Sequence, residues 1–385
     1  MEEDILLLLL LEEEENLENR DRARYFRSLR DSTDPFALSE SEFMKNFRLP
    51  RDICRSLIDD LRPHDQQKTS LPLTIRVLAT LNFFGHGSYQ KCVGNNCNLP
   101  MSQSSLSRSM RAVAKLIVKV KGEEIKFPSS TEEENIVRTG YVHTCVLKQL
   151  DSSKFTEFNF RFFTKYGIKS TIGAIDCTHV AIIAPASNNI ERPLGLYLNR
   201  KGFYSINVEA VCDHRLCFTF LNAKFPGATH DSGIWATSDL REHLIRQHTN
   251  DSVGHRRESW LIGDQGYPLE PWLLTPVGNP STSQERKYNK LHCTARNCVE
   301  RAFGVLKSRF RCLLKHRVLH YSHETSALII SSCVILHNII TKAGITMHAV
   351  DNEVEEDSDH VVNSGDSLQY TREGERIRAR YISTL

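Results

Sequence analysis

Apolar residues follow two different periods along the chain, and the change of period divides it into two parts. Between residues 46 and 120 they recur every three or four positions, as on one face of a helix. Helices are predicted over 51–62, over 73–84 and, more briefly, around 89–93. A linker with a further helix is predicted over 123–150. These segments together predict an all-helical domain over 46–150.

From residue 167 the apolar runs become short and rich in β-branched residues, which is typical of strands. Strands are predicted over 172–183, 204–212, 216–225 and 260–263, and helices over 231–248, 294–310 and 325–340. Three strands, a helix, a fourth strand and further helices indicate a layered α/β domain over 167–345.

Both ends of the chain are acidic, and both are predicted to be poorly ordered. Residues 1–45 are polar apart from a leucine-rich run at 5–11, and residues 350–385 include the acidic stretch 351–359. The run at 5–11 is too short to span a bilayer and follows acidic residues, so it predicts neither a membrane anchor nor a signal peptide.

The formal net charge of +2 is uninformative by itself, but the charges are unevenly distributed. Residues 286–317 contain ten Lys and Arg and the single acid Glu300. Such a basic segment suits a polyanionic partner.

The chain contains 11 cysteines, an odd number, and several lie within apolar runs. This pattern favours reduced thiols in an intracellular protein. Cys92 and Cys97 are separated by four residues, as are Cys293 and Cys298, which is wide for a zinc-binding pair. A zinc site including His292 stays open, although core thiols are the favoured interpretation.

Residues 101–115 predict a helix that could contact DNA. Ser102 can cap it, and one apolar face is formed by Leu106, Met110, Val113 and Ile117. Side chains of the types that reach bases and phosphates lie largely outside that face: Gln103, Ser104, Ser107, Arg108 and Arg111. A helix-turn-helix-like DNA-binding domain is one interpretation, and an ordinary surface helix is the other.

Three acids, Asp176, Asp264 and Glu300, occupy apolar surroundings. Asp176 lies within a predicted strand, Asp264 follows another strand immediately before a glycine turn, and Glu300 lies within a predicted helix. An uncompensated carboxylate is costly in such places. Cleavage of a phosphodiester uses hard divalent cations, which prefer carboxylate ligands. A shared site for Mg²⁺ or Mn²⁺ explains all three acids together.

Each acid also has a purely structural explanation. Asp176 could pair with a nearby cation, Asp264 could cap its turn, and Glu300 could bridge Arg296 or Arg301 on its helix. Asp231 could cap a helix or serve as a further ligand. His179 is expected on the opposite strand face from Asp176, where a hydrogen-bonded core histidine is favoured over a substrate-orienting one.

Four ordered motifs resemble one known family: GAIDCTH at 173–179, PGATHDS at 226–232, GDQGYP at 263–268 and VERAFGVLKSRF at 299–310. They are similar to the PIF/Harbinger transposases and to the Harbinger transposase-derived nuclease of vertebrates. The resemblance extends over about 46–340, and Arg296, Glu300 and Lys307 keep a spacing seen in related transposases. Cys293 stands where a tyrosine is expected.

The resemblance implies an RNase H-like fold with a DDE active site, that is, an RNase H-like core preceded by an all-α helix-turn-helix-like domain. It implies metal-ligand roles for Asp176, Asp231, Asp264 and Glu300. It also implies DNA contacts by Lys307 and the basic residues near it, Arg309 and Arg311. A separate Myb/SANT-like DNA-binding partner and a location in nucleus and cytoplasm are expected from the same resemblance.

The leading hypothesis is therefore a divalent-metal-dependent DNA endonuclease with Asp176, Asp264 and Glu300 as catalytic residues. The alternative is a catalytically silent adaptor that binds DNA through its helical domain. A nuclease acting on RNA is a third, remote possibility. The oligomeric state stays open.

Overall fold

A computed structural model describes residues 2–87, 99–127, 162–185, 193–250, 259–345 and 368–385. The short helix predicted around 89–93, the Cys92/Cys97 pair and residues 128–150 and 350–367 lie outside the described residues. The chain divides into two compact units. The first comprises Met1–Val120 and Phe310–Cys312, and the second comprises Lys121–Arg309 and Leu313–Leu385.

The described part of the first unit is helical, as its three-to-four-residue periodicity predicts. Its helices are α1 (Glu2–Ser32), α2 (Glu40–Phe47), α3 (Arg51–Leu61), α4 (Leu73–His86) and α5 (Gln103–Lys121). The predictions over 51–62 and 73–84 are thus confirmed. Helix α4 forms the centre of the unit, because nearly all of its side chains are buried.

The prediction of weak order over 1–45 is wrong for most of that segment. Helix α1 has 31 residues, rich in the helix-favouring Leu, Glu and Arg. Helix α2 begins at a capping box in which Ser39 and Glu42 satisfy each other's backbone N–H groups. Phe43 and Phe47 then anchor α2 in the core with 0% and 1% exposure. Helix α2 is therefore amphipathic, although the average composition of residues 1–45 is polar.

The second unit contains a mixed five-stranded sheet in the order β3-β2-β1-β4-β5. Its strands are β1 (Thr171–Ala181), β2 (Ser205–Cys212), β3 (Phe218–Pro226), β4 (Trp260–Ile262) and β5 (Leu273–Leu274). Strands β1, β2 and β3 pair antiparallel, whereas β4 pairs parallel with β1 and β5 parallel with β4. The four predicted strands are confirmed. Strand β5 is too short for its pattern to stand out.

Helices pack against this sheet. They are α6 (Asp231–Ala236), α7 (Asp239–Asn250), α8 (Ser283–Arg309), α9 (His323–Lys342) and α10 (Leu368–Ser383). On one side, Ile175, Val211 and Phe220 of the sheet join Trp235 and Leu240 in one buried cluster. The mixed α/β architecture predicted for this part of the chain is therefore confirmed.

Two helix boundaries differ from those predicted. The single helix expected over 231–248 is broken, because the Ser238 hydroxyl accepts the Leu240 N–H at 3.3 Å and starts a second helix. Helix α8 begins at Ser283 rather than near 294. Its start is a reciprocal cap, since Thr282 accepts the Glu285 N–H at 3.1 Å and Glu285 accepts the Thr282 N–H at 2.9 Å.

Helix α9 is long and apolar enough to cross a membrane, but 78% of its most apolar window is buried inside the protein. It acts here as a core helix of the second unit. The Asn338 side chain accepts the Phe218 N–H at 2.8 Å and donates to the Phe218 carbonyl at 2.7 Å, so α9 is bonded directly to β3.

The prediction of disorder over 350–385 is wrong for its last part, which forms α10. Tyr370, Gly374, Ile377 and Tyr381 recur at helical spacing on the less exposed face. The Tyr381 hydroxyl accepts the Lys169 N–H at 3.1 Å, and Arg378 donates to the carbonyls of Thr275 and Pro276 at 3.0 Å each. These contacts hold the helix on the sheet domain despite the acidic stretch before it.

Candidate active site

Strand β1 places Asp176 beside a gap at the edge of its neighbour β4. The last pair between the two strands is Ala174 with Ile262, and beyond it β4 ends. Asp176 lies two residues after Ala174, and Asp264 lies two residues after Ile262. The parallel register therefore brings these two acids to the same level of the sheet. The sequence predicts Asp176 within one strand and Asp264 directly after another, and the structure brings them together.

The loop that carries Asp264 is shaped by its flanking glycines. The Asp264 carboxylate accepts the Gly266 N–H at 2.9 Å. A Cβ atom at position 266 would lie 3.0 Å from Asp264 Oδ1, so a larger residue there would push the carboxylate away. The turn-capping role considered for Asp264 is therefore real, and it also fixes the position of the carboxylate.

Helix α8 brings Glu300 to the same place through Arg296, one helical turn earlier. The Arg296 guanidinium contacts Asp176 Oδ2 at 3.4 Å and forms a short ion pair with Glu300 Oε1. These three side chains are mostly buried, with exposed fractions of 21%, 17% and 29%. The ion pairs considered as structural explanations for Asp176 and Glu300 thus exist, and a single arginine makes both.

Asp231 reaches the site from the start of α6. The N-cap of that helix is His230, which makes no side-chain capping bond, so the capping role considered for Asp231 is wrong. Instead Asp231 Oδ1 accepts a hydrogen bond from the Asn207 side chain at 3.0 Å. Asn207 lies on β2 opposite His179 and also donates to the Thr229 carbonyl at 3.0 Å, so it orients both the acid and its loop.

Electrostatics confirm that the acids lie close enough to interact. Burial raises the pKa of the Asp176 carboxyl well above its usual range, Asp231 and Asp264 raise it further, and Arg296 opposes them. Among the described residues, however, no three His, Cys, Asp or Glu side chains are already arranged to hold a metal ion. The carboxylate oxygens of these acids are the ligands that hard divalent cations prefer. Among the described residues, the positively charged group that contacts Asp176 is Arg296.

A fifth acid, Glu209, was not predicted as part of this site. It lies on β2 and is completely buried, and its Oε2 accepts the Ser238 hydroxyl at 2.8 Å. Burial raises its pKa to about 8, and Asp231 contributes to that rise. The signal was available, since Glu209 is the one charged residue in a strand whose every position is buried.

Two buried side chains, Cys177 and Tyr267, lie beside the acids. Cys177 Sγ lies 3.3 Å from the Tyr267 hydroxyl. Burial raises the pKa of both groups well above their usual ranges, and Asp231 contributes in each case. Both side chains are therefore neutral at physiological pH, which leaves the negative charge of the site on the carboxylates.

Of the basic residues predicted to contact DNA near α8, one is wrong. Arg309 is 2% exposed and donates to His337 Nδ1 at 3.1 Å, so it serves the core of the second unit. It lies three residues after Leu306 and seven after Ala302, on the buried face of the helix. Lys307 is half-buried and donates to Thr178 Oγ1 at 2.8 Å and to the His179 carbonyl at 3.0 Å. Arg311 is exposed.

In the first unit, the predicted faces of the 101–115 helix are confirmed. The apolar stripe is fully buried, and Ser102 accepts the Ser105 N–H at 3.2 Å. The side chains proposed for DNA contact are exposed: Gln103, Ser104, Arg108 and Arg111. This arrangement leaves them accessible, and a DNA role for them stays a prediction.

The zinc alternative at Cys293 and Cys298 receives no support. Cys293 is exposed, whereas Cys298 is buried with its sulfur 3.5 Å from that of Cys212. His292 is buried and bonded to the Leu274 carbonyl at 3.1 Å. His179 Nδ1 lies 3.1 Å from the Ser205 hydroxyl, which agrees with the hydrogen-bonded histidine that was favoured.

Comparisons with known proteins agree with these motifs. The profile of the DDE superfamily endonuclease family matches residues 175–338. The cattle (Bos taurus) protein named "Putative nuclease HARBI1" is 31% identical over 364 residues, which cover 92% of each chain. The chain belongs to the Harbinger transposase-derived nuclease family.

A second member of this family matches over a similar length, and a more distant relative over a shorter one. The human protein of the same name is 30% identical over 368 residues, again 92% of each chain. A more distant relative, "Protein ALP1-like" of Arabidopsis thaliana, is 27% identical over 283 residues, which cover 72% of this chain and 62% of the relative. No solved structure matches the chain.

Proposed function

We propose that this Harbinger-type protein is a divalent-metal-dependent DNA endonuclease with an RNase H-like core. The observation that carries the proposal is the convergence of four acids, since Asp231 and Asp264 both act on Asp176 and Arg296 joins Asp176 to Glu300. Membership of a family of DDE superfamily endonucleases supports the reaction class. The strand order, three antiparallel strands followed by two parallel to the first, supports the RNase H-like assignment.

The four acids would hold the cations, with Asp176 and Asp264 at the centre and Glu300 and Asp231 from the flanking helices. Bound Mg²⁺ or Mn²⁺ would neutralise the charge that develops on the phosphate and make water a better nucleophile. The Arg296 guanidinium lies between Asp176 and Glu300. If these carboxylates held a cation instead, the guanidinium would be placed to donate to the substrate phosphate.

Two polar side chains near the acids, Asn207 and Lys307, have positioning roles in this scheme. Asn207 holds the Asp231 carboxylate in place. Lys307 ties the end of β1 to α8, so the elements that carry Asp176 and Glu300 keep their spacing. These residues act by positioning and are not expected to exchange protons with the substrate.

The test is nicking of supercoiled plasmid during titration with Mg²⁺ and Mn²⁺. Asp176→Asn keeps the shape of the side chain but removes its charge. Asp59→Asn serves as the matched control, since Asp59 is an exposed acid of the first unit that pairs with Arg62. We expect metal-dependent nicking by the wild type and the control, and none by Asp176→Asn.

If neither wild type nor Asp176→Asn cuts DNA while both bind it equally in EDTA, the catalytic proposal fails and the silent-adaptor alternative replaces it. Matched RNA and DNA duplexes in the same assay identify the substrate. Preferential cleavage of RNA contradicts the proposed DNA specificity.

We also propose that the chain enters the nucleus with a Myb/SANT-like DNA-binding partner and is otherwise cytoplasmic. This proposal is supported by the family resemblance alone. A tagged chain expressed with and without such a partner tests it, and full nuclear entry of the chain on its own contradicts it.

A further inference from the structure

Four basic side chains lie together in the first unit where helices α2 and α4 end. They are Lys45, Arg48, His86 and Arg311. The charges of Arg48, Arg311 and Lys45 all act on His86, and Arg311 also acts on Arg48. The largest charge effects on His86 and on Arg48 all come from cations. Like charges held together in this way favour an anionic ligand.

Arg48 carries a long side chain at a backbone conformation that favours glycine. Arg48 is the C-cap of α2, with φ 63° and ψ 2°, and its N–H donates to the Met44 carbonyl at 2.9 Å. Glycine or asparagine is the usual residue in this left-handed conformation, because a Cβ atom is disfavoured in it. Strain of this kind at a non-glycine residue points to a role for the side chain.

Two glycines of α4 make room for the cluster. A Cβ atom at Gly85 would lie 2.7 Å from Arg48 Cγ and 3.1 Å from its Nε, so only glycine lets the arginine cross the helix here. At Gly87, where φ is +60°, a Cβ atom would lie 2.9 Å from the Arg311 carbonyl carbon and oxygen. The end of α4 is thus built to accept both arginines.

The rest of the cluster is held by polar contacts. The His86 ring bonds through Nδ1 to the Asn82 carbonyl at 2.9 Å, and the Asn82 side chain donates to the Asn46 carbonyl at 3.2 Å. These bonds tie α4 to α2 beneath the cations. The buried Arg48 Nε has no hydrogen-bond partner within the described structure. A buried donor without a partner is costly unless a ligand satisfies it.

We propose that Lys45, Arg48, His86 and Arg311 bind one phosphate of the DNA backbone. Guanidinium groups recognise phosphate oxygens through paired N–H donors, and a lysine adds a further donor. The His86 Nδ1–H already donates to the Asn82 carbonyl, so Nε2 donates to a phosphate only when the ring is protonated, a form that a bound anion favours. The inference rests on DNA being the ligand of the proposed function, but it requires no cleavage. Inorganic phosphate shares the chemistry, so the test includes it.

The experiment measures binding of a labelled DNA duplex to the full chain in EDTA, by fluorescence anisotropy over about 50–200 mM salt. Arg48→Gly removes the cation and suits the left-handed backbone, and Arg311→Gln removes the second guanidinium. Arg62→Gln is the control, because the Arg62 guanidinium already pairs with Asp59 at 3.4 Å. Melting temperatures are measured in parallel, with and without inorganic phosphate.

We expect Arg48→Gly to melt at the wild-type temperature or above it, yet to bind DNA about eight-fold more weakly at about 0.1 M salt. This is the loss that follows from one phosphate contact with a log–log salt slope of about 0.9. The slope itself should fall by about one, and Arg311→Gln should behave similarly. The control should bind as the wild type does.

Binding by Arg48→Gly and Arg311→Gln within two-fold of the wild type, with an unchanged salt slope, overturns the inference. Stabilisation of the wild type, but not of Arg48→Gly, by inorganic phosphate alone, with equal DNA binding, overturns the DNA assignment in favour of free phosphate. A wild type that binds no DNA contradicts the proposed function as well. DNA binding that is equal in the wild type and in the cluster variants contradicts this inference alone.

Discussion

The buried Glu209 makes a prediction about stability that can be worked through from the structure. Its side chain is completely buried, and its pKa is raised from 4.5 to about 8. In the unfolded chain the group ionises near 4.5, whereas in the folded protein it stays protonated up to about pH 8. Folding therefore takes up a proton between these two values, and stability relative to a neutral residue falls as pH rises through this window.

The size of the effect follows from the shift. Each pH unit between the unfolded pKa and the solution pH costs about 1.4 kcal/mol, so the roughly 2.5 units up to pH 7 cost about 3 kcal/mol. Glu209→Gln replaces the protonated acid by a neutral residue of the same shape. We expect the free energy of unfolding of the variant, relative to the wild type, to rise by about 3 kcal/mol between pH 4.5 and pH 7.

Tryptophan fluorescence in a urea titration suits this measurement, because Trp235, Trp260 and Trp272 all belong to the second unit. Titrations in EDTA at several pH values between 4.5 and 8 give the difference between variant and wild type. Glu242→Gln, at an exposed glutamate of α7, is the matched control and should show a flat difference. A difference for Glu209→Gln that is flat across the same range would refute the reasoning.

Three further outcomes are expected. Arg309→Met should lower the free energy of unfolding by about 2–4 kcal/mol, because it leaves His337 and its neighbours without their buried donor. DNA binding should stay unchanged, and weaker DNA binding by the folded variant would restore Arg309 as a DNA contact. Tyr381→Ala should cost about 3–5 kcal/mol in the same urea titration, since it detaches α10 from the sheet domain; an unchanged midpoint would show that the helix does not contribute to stability. Calorimetric titration with Mn²⁺ should give an affinity that rises with pH, because protons compete with the cation at Asp176, whose pKa is raised; a constant affinity would contradict that competition.

Local patterns were enough to predict the strands and the acids that follow from them. Apolar runs located β1 to β4, and the placement of Asp176 within β1 and of Asp264 after β4 followed from those runs. The register that brings them to the same level is a property of the pairing of β1 with β4, and no single strand contains it. The sequence context of Asp231 left a cap and a ligand as alternatives, and the resemblance favoured the ligand.

The remaining features depend on contacts between distant segments. The burial of Arg309 depends on α9, whose His337 receives its hydrogen bond, and the order of α10 depends on Lys169 and Thr275. Neither partner is adjacent in the chain, so the basic and acidic character of these segments suggested solvent exposure instead. Glu209 was overlooked because a single acid does not disturb an otherwise apolar strand pattern.

The length of helix α8 constrains how this protein can change over time. Its 27 residues run without interruption from Ser283 to Arg309, and they include the buried Tyr288 as well as Arg296 and Glu300. Each residue turns the helix by about 100°, so one inserted or deleted residue between Tyr288 and Glu300 would rotate the carboxylate away from β1 while leaving the start of the helix docked. Substitutions along the exposed side of the helix leave the direction of the Glu300 side chain unchanged. The helix should therefore tolerate drift in composition but not in length.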